Sequence, residues 1–192
     1  MEKNGLEKLR TELAEYTPWN EQEEKDRDVI LSYINRFPNA FDRSNLIAHI
    51  TASSWVINRK RDQVLLVYHN IYDSWSWTGG HADGETDLLS VAIREVREET
   101  GVKSVKPVSD KIFSLEVLTV DGHEKWGQYV PSHLHLNITY LLEANETEEL
   151  RVCEGENKAV SWFPPEDALS ASSEPWFVQR IYKKLNEKMR TF

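Results

Sequence analysis

Apolar positions in the first part of the chain recur at helical spacing. Leu6, Leu9 and Leu13 form one set, and Val29, Ile30, Tyr33 and Ile34 a second, with a break at Thr17-Pro18. This pattern predicts two helices over residues 5–36. From Leu46 the spacing changes to short apolar runs, Leu46 to Ile57 and Val64 to Tyr68, separated by the polar turn Asn58-Arg59-Lys60-Arg61-Asp62, which is the signature of a hairpin. After Trp75-Ser76-Trp77 and Thr78-Gly79-Gly80, a helical pattern runs from Thr86 or Asp87, either of which can serve as N-cap, to Thr100. Gly101 falls where a helix C-terminus often needs positive φ. Further strands are expected at Ile112 to Val120, Leu134 to Leu142 and Ala159 to Phe163. Pro164-Pro165 then opens a short helical turn, and a final helix runs from Glu174 to Met189. Strands interleaved with helices indicate an α+β or α/β sandwich. Residues 1–45 read as an N-terminal helical extension, and 46–192 as the main domain with a C-terminal helix.

Composition narrows the function classes. The 192 residues, 40% hydrophobic, suit one domain with short elaborations. No stretch approaches the ~20 apolar residues of a membrane span, and the charged opening MEKNGLEKLRTELAEY lacks the apolar region of an export signal. A single cysteine, Cys153, excludes an internal disulfide and a CxxC pair, so the cytoplasm is the expected compartment. The formal charge of −9, from 32 acidic and 23 basic residues, disfavours a nucleic-acid polymer as partner. It also opposes a phosphorylated small molecule, unless some of the acidic excess holds a divalent cation.

Such a concentration exists at residues 94–102, Arg-Glu-Val-Arg-Glu-Glu-Thr-Gly-Val. On a helix, Glu95, Glu98 and Glu99 stand at i, i+3 and i+4, within an arc of about 100°. Leu88, Leu89, Ala92, Ile93 and Val96 form the adjoining apolar stripe. Like charges at this spacing oppose helix formation, and acids in the last turn face the negative end of the helix dipole. Positive charge is therefore needed. Arg94 and Arg97 could supply it on a solvated face, or a hard divalent cation could, and helix geometry alone leaves both open.

Gly80 together with the run Arg94 to Val102 resembles the signature of Nudix hydrolases: a glycine, then after a loop and part of a helix Arg-Glu-apolar-x-Glu-Glu-x-Gly-apolar. The resemblance implies an α/β/α sandwich with a mixed central sheet, here with added N-terminal and C-terminal helices. It implies a phosphoanhydride hydrolase using Mg²⁺ or Mn²⁺ on a small diphosphate-containing substrate. By position, Gly80 or Gly79 would offer a carbonyl, Glu98 and Glu99 would be the main metal ligands, Glu95 a ligand or base, and Arg94 its orienter. The chain departs from the signature at Thr86, where the family has glutamate; the nearest acid is Glu85. A second segment, Val160 to Leu169, resembles the strand and turn that commonly close a Nudix domain. Glu154 and Glu156 occupy the late acidic loop from which some relatives draw a base or extra ligand. Isopentenyl diphosphate isomerases resemble the same family but use a cysteine before the signature, whereas Cys153 follows it. A catalytically inactive nucleotide sensor is the other reading, although this chain keeps the arginine and all three glutamates.

Other features fit in less directly. His133 and His135 alternate on an expected strand, which places both imidazoles on one face, beside His81 or His123 as zinc partners, or in the substrate cleft against phosphate. No acidic ligand completes a zinc pattern there, and Asn137 stands where aspartate would be expected. Trp75, Trp77, Trp126 and Tyr129 could stack on a base. Specificity is expected in loops 72–77 and 121–131, and the N-terminal helices could mediate a homodimer.

Overall fold

The computed structural model describes residues 2–125 and 127–192. Two helices open the chain, α1 (Glu2–Glu15) and α2 (Glu21–Arg36). Asn20 starts α2 by accepting from Glu23 N at 3.0 Å, with Glu21, Glu23 and Glu24 in the first turn, where acids complement the helix dipole. Strands β1 (Ala48–Asn58), β2 (Val64–His69), β3 (Ser74–Ser76) and β4 (Thr78–His81) follow, then α3 (Leu88–Thr100). Next come β5 (Lys106–Pro107), β6 (Ser114–Val120), β7 (His123–Lys125), β8 (Gln128–Val130), β9 (His133–Ala144) and β10 (Asn157–Phe163). The chain closes with α4 (Pro165–Ala171), α5 (Pro175–Phe177), a π-helical turn at Val178–Tyr182, and α6 (Lys183–Met189).

The fold is α+β with a mixed central sheet and helices at both ends of the chain. Strands hydrogen-bond in the order β10-β2-β1-β9-β5, with β3 added on β2, β4 on β1 and β6 on β9, while β7 and β8 form a separate pair. The long elements lie where periodicity places them. The five short strands β3, β4, β5, β7 and β8 were not legible, because two to four residues carry no period. The chain groups into two compact units interleaved in sequence.

The first unit comprises Met1–Ala52, Gly80–Val91 and Lys111–Thr139. Leu6, Leu9 and Leu13 of α1 and Ile30 and Ile34 of α2 are buried, and α2 packs on β6. Val29, expected in that stripe, is exposed; the face of α2 that enters the core carries Ile30, Ile34 and, seven residues before Ile30, Glu23. Glu23 is fully buried and accepts from Tyr16 OH at 2.6 Å and Trp19 N at 2.7 Å, while Ser114 Oγ stands 2.9 Å from its other oxygen. Glu116, also buried, accepts from Asn137 Nδ2 at 3.0 Å and Thr139 Oγ1 at 2.9 Å. Burial first, then the Glu23 carboxylate, push the Tyr16 phenol well above its ordinary value. Leu46 and Ile47, expected to begin a strand, are 63% and 66% exposed, because Asn45 closes a turn there, accepting from Ile47 N at 3.4 Å and from Tyr33 OH at 2.8 Å.

The second unit comprises Ser53–Gly79, Ala92–Asp110 and Tyr140–Phe192. The predicted hairpin is present: β1 and β2 pair antiparallel with Ile57 opposite Val64. Asn58 shapes its turn, with Oδ1 accepting from Asp62 N at 3.1 Å and Gln63 N at 3.2 Å. The expected terminal helix is interrupted by the π-turn, within which Tyr182 is fully buried and stacks on Trp55 with ring centroids 5.4 Å apart.

Candidate functional site

Asp87, rather than Thr86, caps α3: its carbonyl accepts from Val91 N at 3.0 Å and its carboxylate from Ser90 Oγ at 2.8 Å. Glu85 accepts from Thr86 N at 3.1 Å and Asp87 N at 3.3 Å, so its carboxylate serves the loop backbone. Leu88, Val91, Ala92 and Val96 are the buried face of the helix, with Leu89 and Ile93 half-buried. That register turns the three glutamates to different depths. Glu98 is 58% exposed, Glu95 15%, and Glu99 only 4%.

The carboxylates have specific partners. Arg94 Nη2 lies 3.0 Å from Glu95 Oε1, and its Nε is 4.0 Å from Glu98 Oε1, so the arginine chiefly engages Glu95. Glu99 Oε1 accepts the Gly79 N–H at 2.9 Å; Gly80 is the next residue of the same strand, β4. A loop distant in sequence also reaches this helix end. Asn157 Nδ2 donates to the Glu99 carbonyl at 2.9 Å, while Asn157 Oδ1 accepts from Cys153 N at 3.2 Å. Sequence reasoning passed over Asn157, because nothing in a strand-opening asparagine signals a tie to a helix terminus.

Electrostatically the groups form one cluster. Burial drives the Glu99 carboxyl well above the ordinary range; the Gly79 N–H opposes this, and the charges of Glu95, Glu156 and Glu98 reinforce it. Glu95 is also raised, first by burial, with Arg94 opposing and Glu98 and Glu156 adding. The Cys153 thiol is raised by burial and then by Glu156. Of the two late-loop candidates, Glu156 acts on both Glu95 and Glu99. Glu95, Glu98 and Glu156 thus all act on Glu99, the buried member, with Arg94 paired to Glu95; carboxylate oxygens are the donors that hard divalent cations take.

His133 and His135 belong to the first unit, where they group with His49 and His81; His123 is not in that group. Among the aromatic candidates, Trp77 is buried against Phe177 and Tyr182, and Trp75 meets Tyr68 and Phe163 edge-on. Tyr129 is exposed, and Trp126 lies outside the described residues. Among the described residues no helix is long and apolar enough to cross a membrane.

Comparison with known proteins agrees with this architecture. A family model described as the NUDIX domain matches residues 48–185. A C. elegans Ap4A hydrolase structure, 20% identical, aligns with a TM-score of 0.51 over 74% of this chain and 96% of its own. A NUDIX-family hydrolase from Clostridium perfringens is 21% identical with a TM-score of 0.49, over 74% and 97% of the two chains. A search of curated proteins found no match.

Proposed function

We propose that this chain, which belongs to the Nudix family, hydrolyses a phosphoanhydride in a small molecule in which a nucleoside diphosphate is linked to a further group. The observation that carries this reading is that Glu95, Glu98 and Glu156 act on Glu99 in the second unit, where Glu99 is out of solvent and its carboxyl is raised first by burial and then by those neighbours. Ionised, a carboxylate so buried is costly to hold without a counter-ion. When bound, Mg²⁺ or Mn²⁺ would neutralise the diphosphate oxygens and make a water ligand more acidic.

Glu98 and Glu99, with Glu95, are the residues proposed to hold the ion. Arg94, at 3.0 Å from Glu95, fixes the direction in which that carboxylate points and so acts as a positioning residue. The Gly79 N–H does the same for Glu99, bonding one of its oxygens at 2.9 Å. Glu156 is the residue proposed to accept the proton of the attacking water; it is exposed on its loop, which Asn157 anchors to α3. Catalysis on this scheme is chiefly positioning and charge neutralisation.

A substrate panel of ADP-ribose, NADH, sugar nucleotides and nucleoside triphosphates tests the reading, with release of phosphate or nucleotide followed with and without Mg²⁺. Turnover of at least one member is expected, and only with the metal. Glu98→Gln should cut kcat by about 10³-fold or more with the circular dichroism spectrum unchanged. Near-normal activity in that variant would refute the ligand role, and tight binding without turnover across the panel would instead identify a sensor.

A further inference from the structure

Outside the carboxylate cluster, the first unit gathers four histidines on three strands: His49 on β1, His81 on β4, and His133 and His135 on β9. One ring nitrogen from each lies within 4.8 Å of those of the others. Ring centroids are 4.9 Å apart for His49 and His133, 5.1 Å for His49 and His135, and 4.9 Å for His81 and His135. Stacked core histidines could give such spacings. The hydrogen bonding argues for more.

His49 Nδ1 is 3.1 Å from the Asn45 carbonyl, and His133 Nδ1 is 2.8 Å from the Pro131 carbonyl. Carbonyls only accept, so in both rings Nδ1 carries the hydrogen, and in the neutral imidazole Nε2 presents a lone pair. An imidazole that donates one N–H to a backbone carbonyl and turns its other nitrogen inward has the arrangement of a metal-bound histidine. The His49 side chain is 4% exposed, yet its Nε2 has no hydrogen-bond partner. Facing His133 Nε2 at 3.2 Å is His135 Nε2, close to the separation of about 3.4 Å between two nitrogens of a tetrahedral zinc ion. Charge around the cluster is balanced: Arg43 is nearby but is paired with Asp83, whose carboxylate in turn acts on His81 and His49.

We infer that His49, His81, His133 and His135 form an all-histidine site for a borderline transition-metal ion, Zn²⁺ in the first place, which clasps β1, β4 and β9 together. Neutral imidazoles suit Zn²⁺, Cu²⁺ or Ni²⁺ and not Mg²⁺, so the site is chemically distinct from the carboxylate cluster. Four protein ligands would close the coordination shell, as in structural zinc sites. The inference does not rest on the hydrolase reading.

The test uses the full-length chain without a histidine tag, stripped by chelation and titrated with Zn²⁺ and Co²⁺, with metal analysis and the visible spectrum of bound Co²⁺ as readouts. One ion per chain is expected, resistant to excess Mg²⁺ and giving the intense spectrum of tetrahedral ligation. The double variant His133→Gln, His135→Gln should raise its Kd by about a hundredfold or more, and Glu98→Gln should leave it unchanged. Because misfolding of the double variant would mimic that loss, the ¹⁵N spectrum of the wild-type imidazoles provides a second measure. Ring nitrogens of His49, His81, His133 and His135 should shift on Zn²⁺ addition, while those of His69 and His123 stay in place. No bound ion, unshifted cluster resonances, or Zn²⁺ lost in Glu98→Gln but kept in the histidine variant would each overturn the proposal. None of these readouts is turnover, so failure here and failure of the hydrolase reading are distinguishable.

Discussion

Glu99 shows how one residue can link stability to chemistry. Its carboxyl is buried at the end of α3, and burial raises it well above the ordinary glutamate value of 4.5. An acid raised in the folded state holds its proton more tightly there than in the unfolded chain. Its contribution is therefore fully present below the unfolded value and is lost as pH rises through the folded one. The stability of metal-free wild type relative to Glu99→Gln should accordingly fall over the window above 4.5, and Mg²⁺ should shrink that fall by favouring the ionised carboxylate. Thermal melts of both proteins across pH, with and without Mg²⁺, check this; a difference independent of pH would remove the argument. The three glutamates were legible from their spacing, but their unequal depths were not. Depth depends on which flank of α3 is covered, and Gly79 and Asn157 come to it from segments 20 and 58 residues away.

At the scale of elements, two devices fix where helices stop and how they dock. Gly101 ends α3 at φ +76°, with its N–H donating to the Arg97 carbonyl at 3.0 Å. A Cβ there would also fall 2.9 Å from Arg151 Cβ. Gly101→Ala should therefore cost about 1–2 kcal/mol from the left-handed backbone alone, with more from the clash, read as a shift of the urea midpoint. The sequence announced this stop. It did not announce Glu23, which docks α2 through Tyr16 OH, the Trp19 N–H and Ser114 Oγ. Removing that carboxylate takes one acceptor from the Trp19 N–H, while Tyr16 OH keeps the Phe113 carbonyl and Ser114 Oγ keeps Glu116, so Glu23→Ala should cost about 1–3 kcal/mol. Denaturant unfolding measures this, and a loss below about 0.5 kcal/mol would show that the network contributes little. A glutamate in a first helical turn reads as surface because its composition and capping context are those of an exposed acid; only the facing strand β6 makes it core.

For the whole molecule, a net charge of −9 repels an anionic substrate, and the carboxylate cluster concentrates part of that excess. An ion that binds only the folded chain stabilises it by mass action. Mg²⁺ at about 100 times its Kd should contribute about 2.7 kcal/mol, raising the Tm of a chain this long by about 5–10 °C. Glu98→Gln should lose most of that rise, and an equal rise in wild type and variant would place the ion elsewhere. Sequence by itself determined the long helices and strands, the helix stop at Gly101 and the spacing of Glu95, Glu98 and Glu99. Those are properties of periodicity, turn chemistry and neighbours within a few residues. Tertiary structure alone decided that Glu99 is buried, that Glu156 stands within range of it, that Glu23 is core, and that four histidines from three strands share one point. Side chains far apart along the chain meet only through strand pairing and packing, and no local pattern encodes that distance.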